Sequence, residues 1–307
     1  MKYFKITTYI LLFFLIIEII FRIMGYEVNT PNEKKWPELN MRIDTLLGFS
    51  HPVGIQQYKL FNKDIIETNF ENRKRITSKD EIKNPRTRIN LYGCSVVHGF
   101  GITDTLTYPF KLQKLRKHEE INNFAICGHG LLQFYKLLKE HTYNSLKPNI
   151  AIIHYGSFHN NRNIFYKMSE IEKERYYRDK NKLYNIPFVY MKFNNNNTLV
   201  SYKKKHEKYK DNLMFKYSAF INTLHKIYIN ILDNPSKKNE IDLNVRLMQI
   251  IINHCKKNNI ELIVFGVYND KITENMLNLC KEKNIASYNI AKNLDNVKYK
   301  LGKNDNH

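Results

Sequence analysis

The chain has 307 residues, 43% of them hydrophobic, which is enough to bury a core and excludes a chain too polar to fold. Lys and Arg number 49 against 29 Asp and Glu, a formal charge of +20. Lysine, asparagine, isoleucine and tyrosine are abundant along the whole chain, however, and no arginine-rich or aromatic-interleaved patch marks a nucleic-acid partner. Cys94, Cys127, Cys255 and Cys280 lack the paired spacing of a zinc site or a redox motif, so no metal and no cofactor is implied, and the four are expected as buried free thiols.

In chain order, Lys2 and Lys5 precede an apolar run, Ile6 to Met24, broken only by two threonines, Glu18 and Arg22. As a helix it extends about 28 Å, close to the hydrocarbon thickness of a bilayer. No small-residue cleavage pattern follows, so residues 1–26 read as an uncleaved signal anchor, a single transmembrane helix. The lysines before the span favour a cytoplasmic amino terminus and an extracytoplasmic body at the cell membrane. Glu18 and Arg22, four apart on one helical face, are placed to pair near the end of the span. Residues 27–86 carry Pro31, Pro37, Pro52 and Pro85 with no sustained periodicity and read as a tether and irregular lead-in, with short strands expected at Ile43–Phe49 and Val53–Phe61.

The body, residues 87–307, alternates strands and helices. Arg88 to Gly101 reads as a buried strand that leaves through Gly93 to present Ser95 at its carboxyl end, where open α/β sheets bind ligands. A surface helix is expected over Tyr108–Lys117 with Pro109 in its first turn, then a strand from Asn123 to Cys127 ending in Gly128-His129-Gly130. A helix over Leu131–Tyr143 and a strand over Asn149–Tyr155 follow. Residues 162–240 break the rhythm: charged and tyrosine-rich, with one helix expected from Met214 to Ile231, they read as an insertion over the sheet edge or the active-site mouth. The alternation resumes with a helix at Leu243–Lys257, a strand at Ile260–Val267, a helix at Ile272–Lys283 and a strand at Ile285–Ile290. Near-continuous apolar strands in such a series predict a three-layer α/β/α sandwich around a mainly parallel, flavodoxin-like sheet.

Gly93-Cys94-Ser95 through Gly101, the Tyr108-Pro109 pair, the block from Asn123 to Gly130 and the terminal Asp305-Asn306-His307 together resemble the blocks of the SGNH (GDSL-type) hydrolases, over roughly Arg88 to His307 apart from the insertion. The apolar span carrying Glu-x-x-x-Arg resembles the anchor of membrane-tethered members. That resemblance implies ester chemistry: Ser95 as nucleophile, His307 as general base, and Asp305 orienting the imidazole. The oxyanion would be held by the backbone amides of Ser95 and Gly128 and by a side-chain donor after the third strand, a role for which His159, Asn160 and Asn161 compete. Cys94 stands where aspartate is common before the serine. The proline and closing helix that usually follow the family's Asp-x-His loop have no counterpart after His307, which leaves two expectations: a truncated chain or lost activity.

The function implied is a membrane-anchored serine esterase or O-acyltransferase acting on acyl esters of an extracytoplasmic glycan, with the membrane as partner through the amino-terminal helix. Two alternatives keep the fold: a catalytically silent scaffold that binds a glycan or envelope partner, and a lipid esterase.

Overall fold

The computed structural model describes residues 2–26, 28, 41–59, 65–80, 82–164, 188–194, 196, 198–204, 217–233 and 237–293. Two units divide the chain. One comprises Met1–Lys35, Tyr166–Asn185 and His206–Pro235, and the other Trp36–Phe165, Ile186–Lys205 and Ser236–His307.

In the first unit, helix α1 (Lys2–Ile23) contains an exposed apolar stretch, Phe4–Ile23, long enough to cross a membrane. Glu18 and Arg22 pair at 2.7 Å, as their spacing predicts.

The second unit begins with a ladder of β1 (Arg42–Asp44) and β2 (Gly48–Ser50), followed by β3 (Gly54–Lys59), β4 (Ile65–Glu71) and β5 (Lys74–Arg75). β4 alternates exposed and buried residues, with Ile66, Thr68 and Phe70 turned inward, the period of a strand with one wet face. Next come β6 (Thr87–Tyr92), the short helix α2 (Ser95–His98), α3 (Tyr108–Leu115), β7 (Glu119–Asn123), α4 (Leu131–Thr142) and β8 (Ile150–Tyr155). A hairpin of β9 (Phe188–Phe193) and β10 (Leu199–Lys204) belongs to this unit too. Helix α5 (Ala219–Asp233) lies in the first unit, and α6 (Lys237–Lys257), β11 (Glu261–Gly266), α7 (Lys271–Glu282) and β12 (Ala286–Asn289) complete the second.

Eight strands form the main sheet in the order β12-β11-β8-β6-β7-β5-β4-β3. From β12 to β7 neighbours run parallel, and β5, β4 and β3 extend the sheet antiparallel beyond β7. Right-handed crossovers place α3 on one face and α4, α6 and α7 on the other, giving the three-layer arrangement. The α3 face is sealed by Ile89, Leu91, Val97, Ile121, Ala125 and Ile152, with Leu112 of α3 packed against them. Strand order reverses about β6: the chain moves to β7 on one side, then crosses to β8 on the other. That reversal opens the crevice in which such sheets bind ligands.

Several bounds differ from the sequence reading, and the differences at β7 and in the lead-in bear on the site. The second strand of the parallel block spans Glu119–Asn123, not Asn123–Cys127, because Arg88 pairs with Glu120 at 2.7 Å and so lets an acidic pair open the strand. Past it, Phe124 N–H donates to Leu91 O and Ile126 N–H to Gly93 O, so the chain stays zipped to the exit of β6. The stretch read as a tether and lead-in supplies five strands, three of them in the main sheet.

Candidate active site

Ser95 follows the central strand β6 and opens α2. Gly93 makes this exit possible: a Cβ there would come within 2.4 Å of Val97 Cγ2. As the first helical residue, Ser95 has an N–H with no intrahelical partner, while its carbonyl accepts from Gly99 and Phe100. The side chain is buried, with Cys94 Sγ 3.9 Å from Oγ. Helix α2 ends at Gly99, whose left-handed φ of +78° an L side chain rarely adopts.

The turn after α2 is clamped from an unexpected direction. Arg75, fully buried on β5, places Nε 2.6 Å from Asp104 Oδ1 and donates through Nη1 to His98 O at 2.7 Å and Gly99 O at 2.8 Å, and through Nη2 to Ile102 O at 2.7 Å. In the sequence Arg75 sits in the basic run Arg73-Lys74-Arg75, indistinguishable from surface charge. No local signal marks it, since its partners lie 23 to 29 residues away.

On one side of β6, the turn after β7 carries Gly128 at φ +82°, a conformation that favours glycine. His129 fixes this turn by its Nε2 contact to Phe49 O at 3.0 Å and an edge-on contact with the Phe49 ring. On the other side, Ser157–Asn163 form a 3-10 turn after β8. The two turns are tied together: Arg162 Nη1 donates to His129 O at 3.1 Å, and Asn163 Oδ1 accepts from Leu132 N–H at 2.9 Å. The turns bearing Gly128 and the third block thus meet at the carboxyl edge of the parallel strands, on either side of Ser95.

Within the third block the three candidates have different surroundings. His159 is fully buried: its Nδ1 accepts from Gly156 N–H at 3.0 Å, its ring packs on Phe134 and Phe158, and burial pulls its pKa well below the usual histidine value. Asn161 is exposed. Asn160 is buried, and its Oδ1 accepts from the Tyr155 hydroxyl at 2.7 Å, which engages the carbonyl end of the amide. Asp305 and His307 lie outside the described residues.

No family model matches the sequence, and neither does any curated protein. Among solved structures, the SGNH-hydrolase family esterase AlinE4 is similar over 75% of this chain and 88% of its own, at 13% identity and a TM-score of 0.39. A GDSL-like lipase from Bacteroides thetaiotaomicron is similar over 67% of this chain and 71% of its own, at 12% identity and a TM-score of 0.31.

Beneath the site, His51 stacks on His98 with centroids 4.5 Å apart and rings 20° from parallel, and both pack against Phe70, whose ring centroid is 4.5 Å from that of His51 and 5.5 Å from that of His98. Burial and the nearby Arg75 charge hold both imidazoles neutral, His51 with its pKa down at about 3. Ligand atoms of His51, His98 and Cys127 lie within 4.8 Å of one another. Near-parallel imidazoles direct their in-plane lone pairs alongside each other, and the Arg75 guanidinium adds positive charge, so the trio fits a packed neutral cluster better than a cation site. All four cysteines are buried and free, and burial pushes the Cys127 thiol up, so the thiolate form is disfavoured. A separate cavity of about 440 Å³ is lined by residues that include Glu67, Asn69, Asp104 and Phe110, and no residue of the three blocks lines it.

Proposed function

We propose that this protein is a membrane-anchored serine esterase of SGNH type. The observation that carries the reading is the position of Ser95, at the carboxyl end of the central strand where strand order reverses, flanked by the turns bearing Gly128 and Asn160. A hydroxyl nucleophile there can meet an ester carbonyl while the N–H groups of Ser95 and Gly128 and the Asn160 amide nitrogen donate to the developing oxyanion. Asn160 is the better third donor: its carbonyl end is already engaged by Tyr155, leaving its N–H groups for substrate, whereas His159 is turned inward. In this reading His307 takes the Ser95 proton, returns it to the leaving alcohol and then activates the acceptor, with Asp305 stabilising the imidazolium.

The acceptor is water or a second sugar hydroxyl, and the substrate an O-acylated glycan. The hairpin β9–β10 supports this class: it packs beside α4 and the turn after β8, and carries the stacked Tyr190–Tyr202 pair with Lys192 over Tyr202, a surface with the aromatic faces and donors that suit sugars. Exposed Phe4–Ile23 supports the anchor. The test is turnover of a short-acyl ester and of an acetylated polysaccharide by the purified full-length protein in liposomes. Ser95→Ala and His307→Ala should each lower kcat by about a thousandfold, non-additively. Turnover unchanged by Ser95→Ala refutes the assignment, and turnover of lipid esters alone refutes the glycan.

A further inference from the structure

Helix α5 is turned inside out for a protein in water. Its exposed residues include Leu224, Ile227, Tyr228 and Ile231, on one face at helical spacing, with Ile231 76% exposed, while Asn222 and Thr223 are buried. The start of this helix is fastened to α1 of the same unit. Glu18 Oε2 accepts from Ser218 Oγ at 2.8 Å and Phe220 N–H at 3.2 Å, and Oε1 accepts from Ala219 N–H at 2.9 Å. Arg22 Nη2 donates to Tyr217 O at 2.9 Å. The Phe220 ring contacts both Phe14 and Phe21, with centroids 6.5 Å and 5.2 Å away.

These contacts set a depth. Glu18 lies five residues before Ile23, so α5 begins about 7–8 Å along the helix axis inside the end of the apolar stretch. At that level a helix start cannot leave its N–H groups to water, and Glu18 satisfies two of them. This gives the Glu18–Arg22 pair a purpose beyond mutual neutralisation. With 15 residues, α5 is about 22 Å long, too short to cross a bilayer of about 30 Å. A short helix with an apolar exposed face, pinned at that depth, belongs in the boundary between acyl chains and headgroups.

We infer that α5 is a second membrane-contacting element, held beside the anchor by Glu18, with lipid acyl chains covering Leu224, Ile227, Tyr228 and Ile231. The inference rests on the reading of α1 as a membrane anchor and adds a second contact that α1 alone does not supply.

The test uses the full-length chain in phosphatidylcholine–phosphatidylglycerol liposomes, with a fluorophore on single introduced cysteines and quenching by lipids spin-labelled near the headgroup or near the chain end. The native cysteines are buried, so the label goes to the new thiol. Leu12→Cys reports the middle of α1, Ile231→Cys reports α5, and exposed Glu282→Cys serves as the aqueous control. The inference expects lipid quenching at Ile231→Cys, about twofold stronger from the headgroup-proximal label than from the chain-end label, with the opposite order at Leu12→Cys. Adding Glu18→Leu, which makes α1 more apolar, should leave quenching at Leu12→Cys in place and remove at least about half of it at Ile231→Cys. Quenching at Leu12→Cys with none at Ile231→Cys refutes the inference and leaves the anchor standing. Quenching at neither position refutes both. Quenching at Ile231→Cys that Glu18→Leu does not reduce refutes the inference that Glu18 holds α5 beside the anchor.

Discussion

Arg75 is the residue whose removal should cost the fold most for its size. In Arg75→Met the Asp104 carboxylate loses its buried counter-charge, and the carbonyls of His98, Gly99 and Ile102 lose the donors Arg75 supplies, Gly99 O keeping Ile102 N–H and Asp104 keeping Asn69 N–H. Breaking one side of a buried pair costs about 3–5 kcal/mol, against a typical total stability of about 5–15 kcal/mol. Burial already raises the Asp104 pKa, and the Arg75 charge opposes that rise. Without Arg75 the native carboxyl rises further and binds a proton that the unfolded chain, near 3.8, has released. Stability of the variant therefore falls as pH rises from 3.8 through the raised value. Urea unfolding of wild type and variant at matched pH values measures this, and the deficit should be largest at neutral pH and shrink on acidification. Arg75→Met/Asp104→Leu should recover part of the loss, since it removes the stranded charge but not the stranded carbonyls. A single-variant deficit below about 1 kcal/mol at neutral pH, or one that grows as pH falls, would refute the reasoning.

Asn160→Ala should lower ester turnover by about a hundredfold or more and cost about 1–3 kcal/mol of stability by stranding the buried Tyr155 hydroxyl, and Tyr155→Phe should lower turnover less, through loss of the contact that orients the amide. Gly128→Ala should cost about 1 kcal/mol of stability through its positive φ and at least about tenfold in turnover if its N–H serves the oxyanion, which urea unfolding and kinetics on one preparation separate. Below pH 6.5 the unfolded chain gains protons that buried His51 and His141, each with a pKa lowered to about 3, refuse. Near pH 4.5 each should cost about 2–3 kcal/mol, so the unfolding midpoint drops steeply there, and His51→Phe should flatten that dependence.

The parallel block was legible because buried strands leave long apolar runs with glycine at their carboxyl ends, and those same glycines marked the turns around Ser95, Gly128 and the third block. Choosing among His159, Asn160 and Asn161 was not possible from sequence, because the distinction rests on which way each side chain turns, and the Tyr155 contact behind the proposed role of Asn160 is made by a side chain on another element. β7 was misplaced by its acidic opening, where Glu120 meets Arg88 from another strand. Arg75 stayed hidden for the same reason: a charged residue's burial is set by partners far along the chain, which periodicity does not record. The roles expected of Asp305 and His307 rest on the motif, since both lie outside the described residues.

The antiparallel extension also decides where this chain can be cut. A fragment starting at residue 87, the first of the strand-helix series, would strip β7 of its neighbour: the Arg75–Asn123 bridge, the Thr77 hydroxyl on Ile121 O at 2.6 Å and the Lys74 contact with Asn122 all go together. What remains is a bare strand edge one strand away from the turn that carries Ser95, the kind of surface that templates pairing between molecules. Fragments beginning near residue 41 should express as dispersed protein, and those beginning at 87 should collect in aggregates, a difference that follows from strand pairing alone and holds whatever the substrate proves to be.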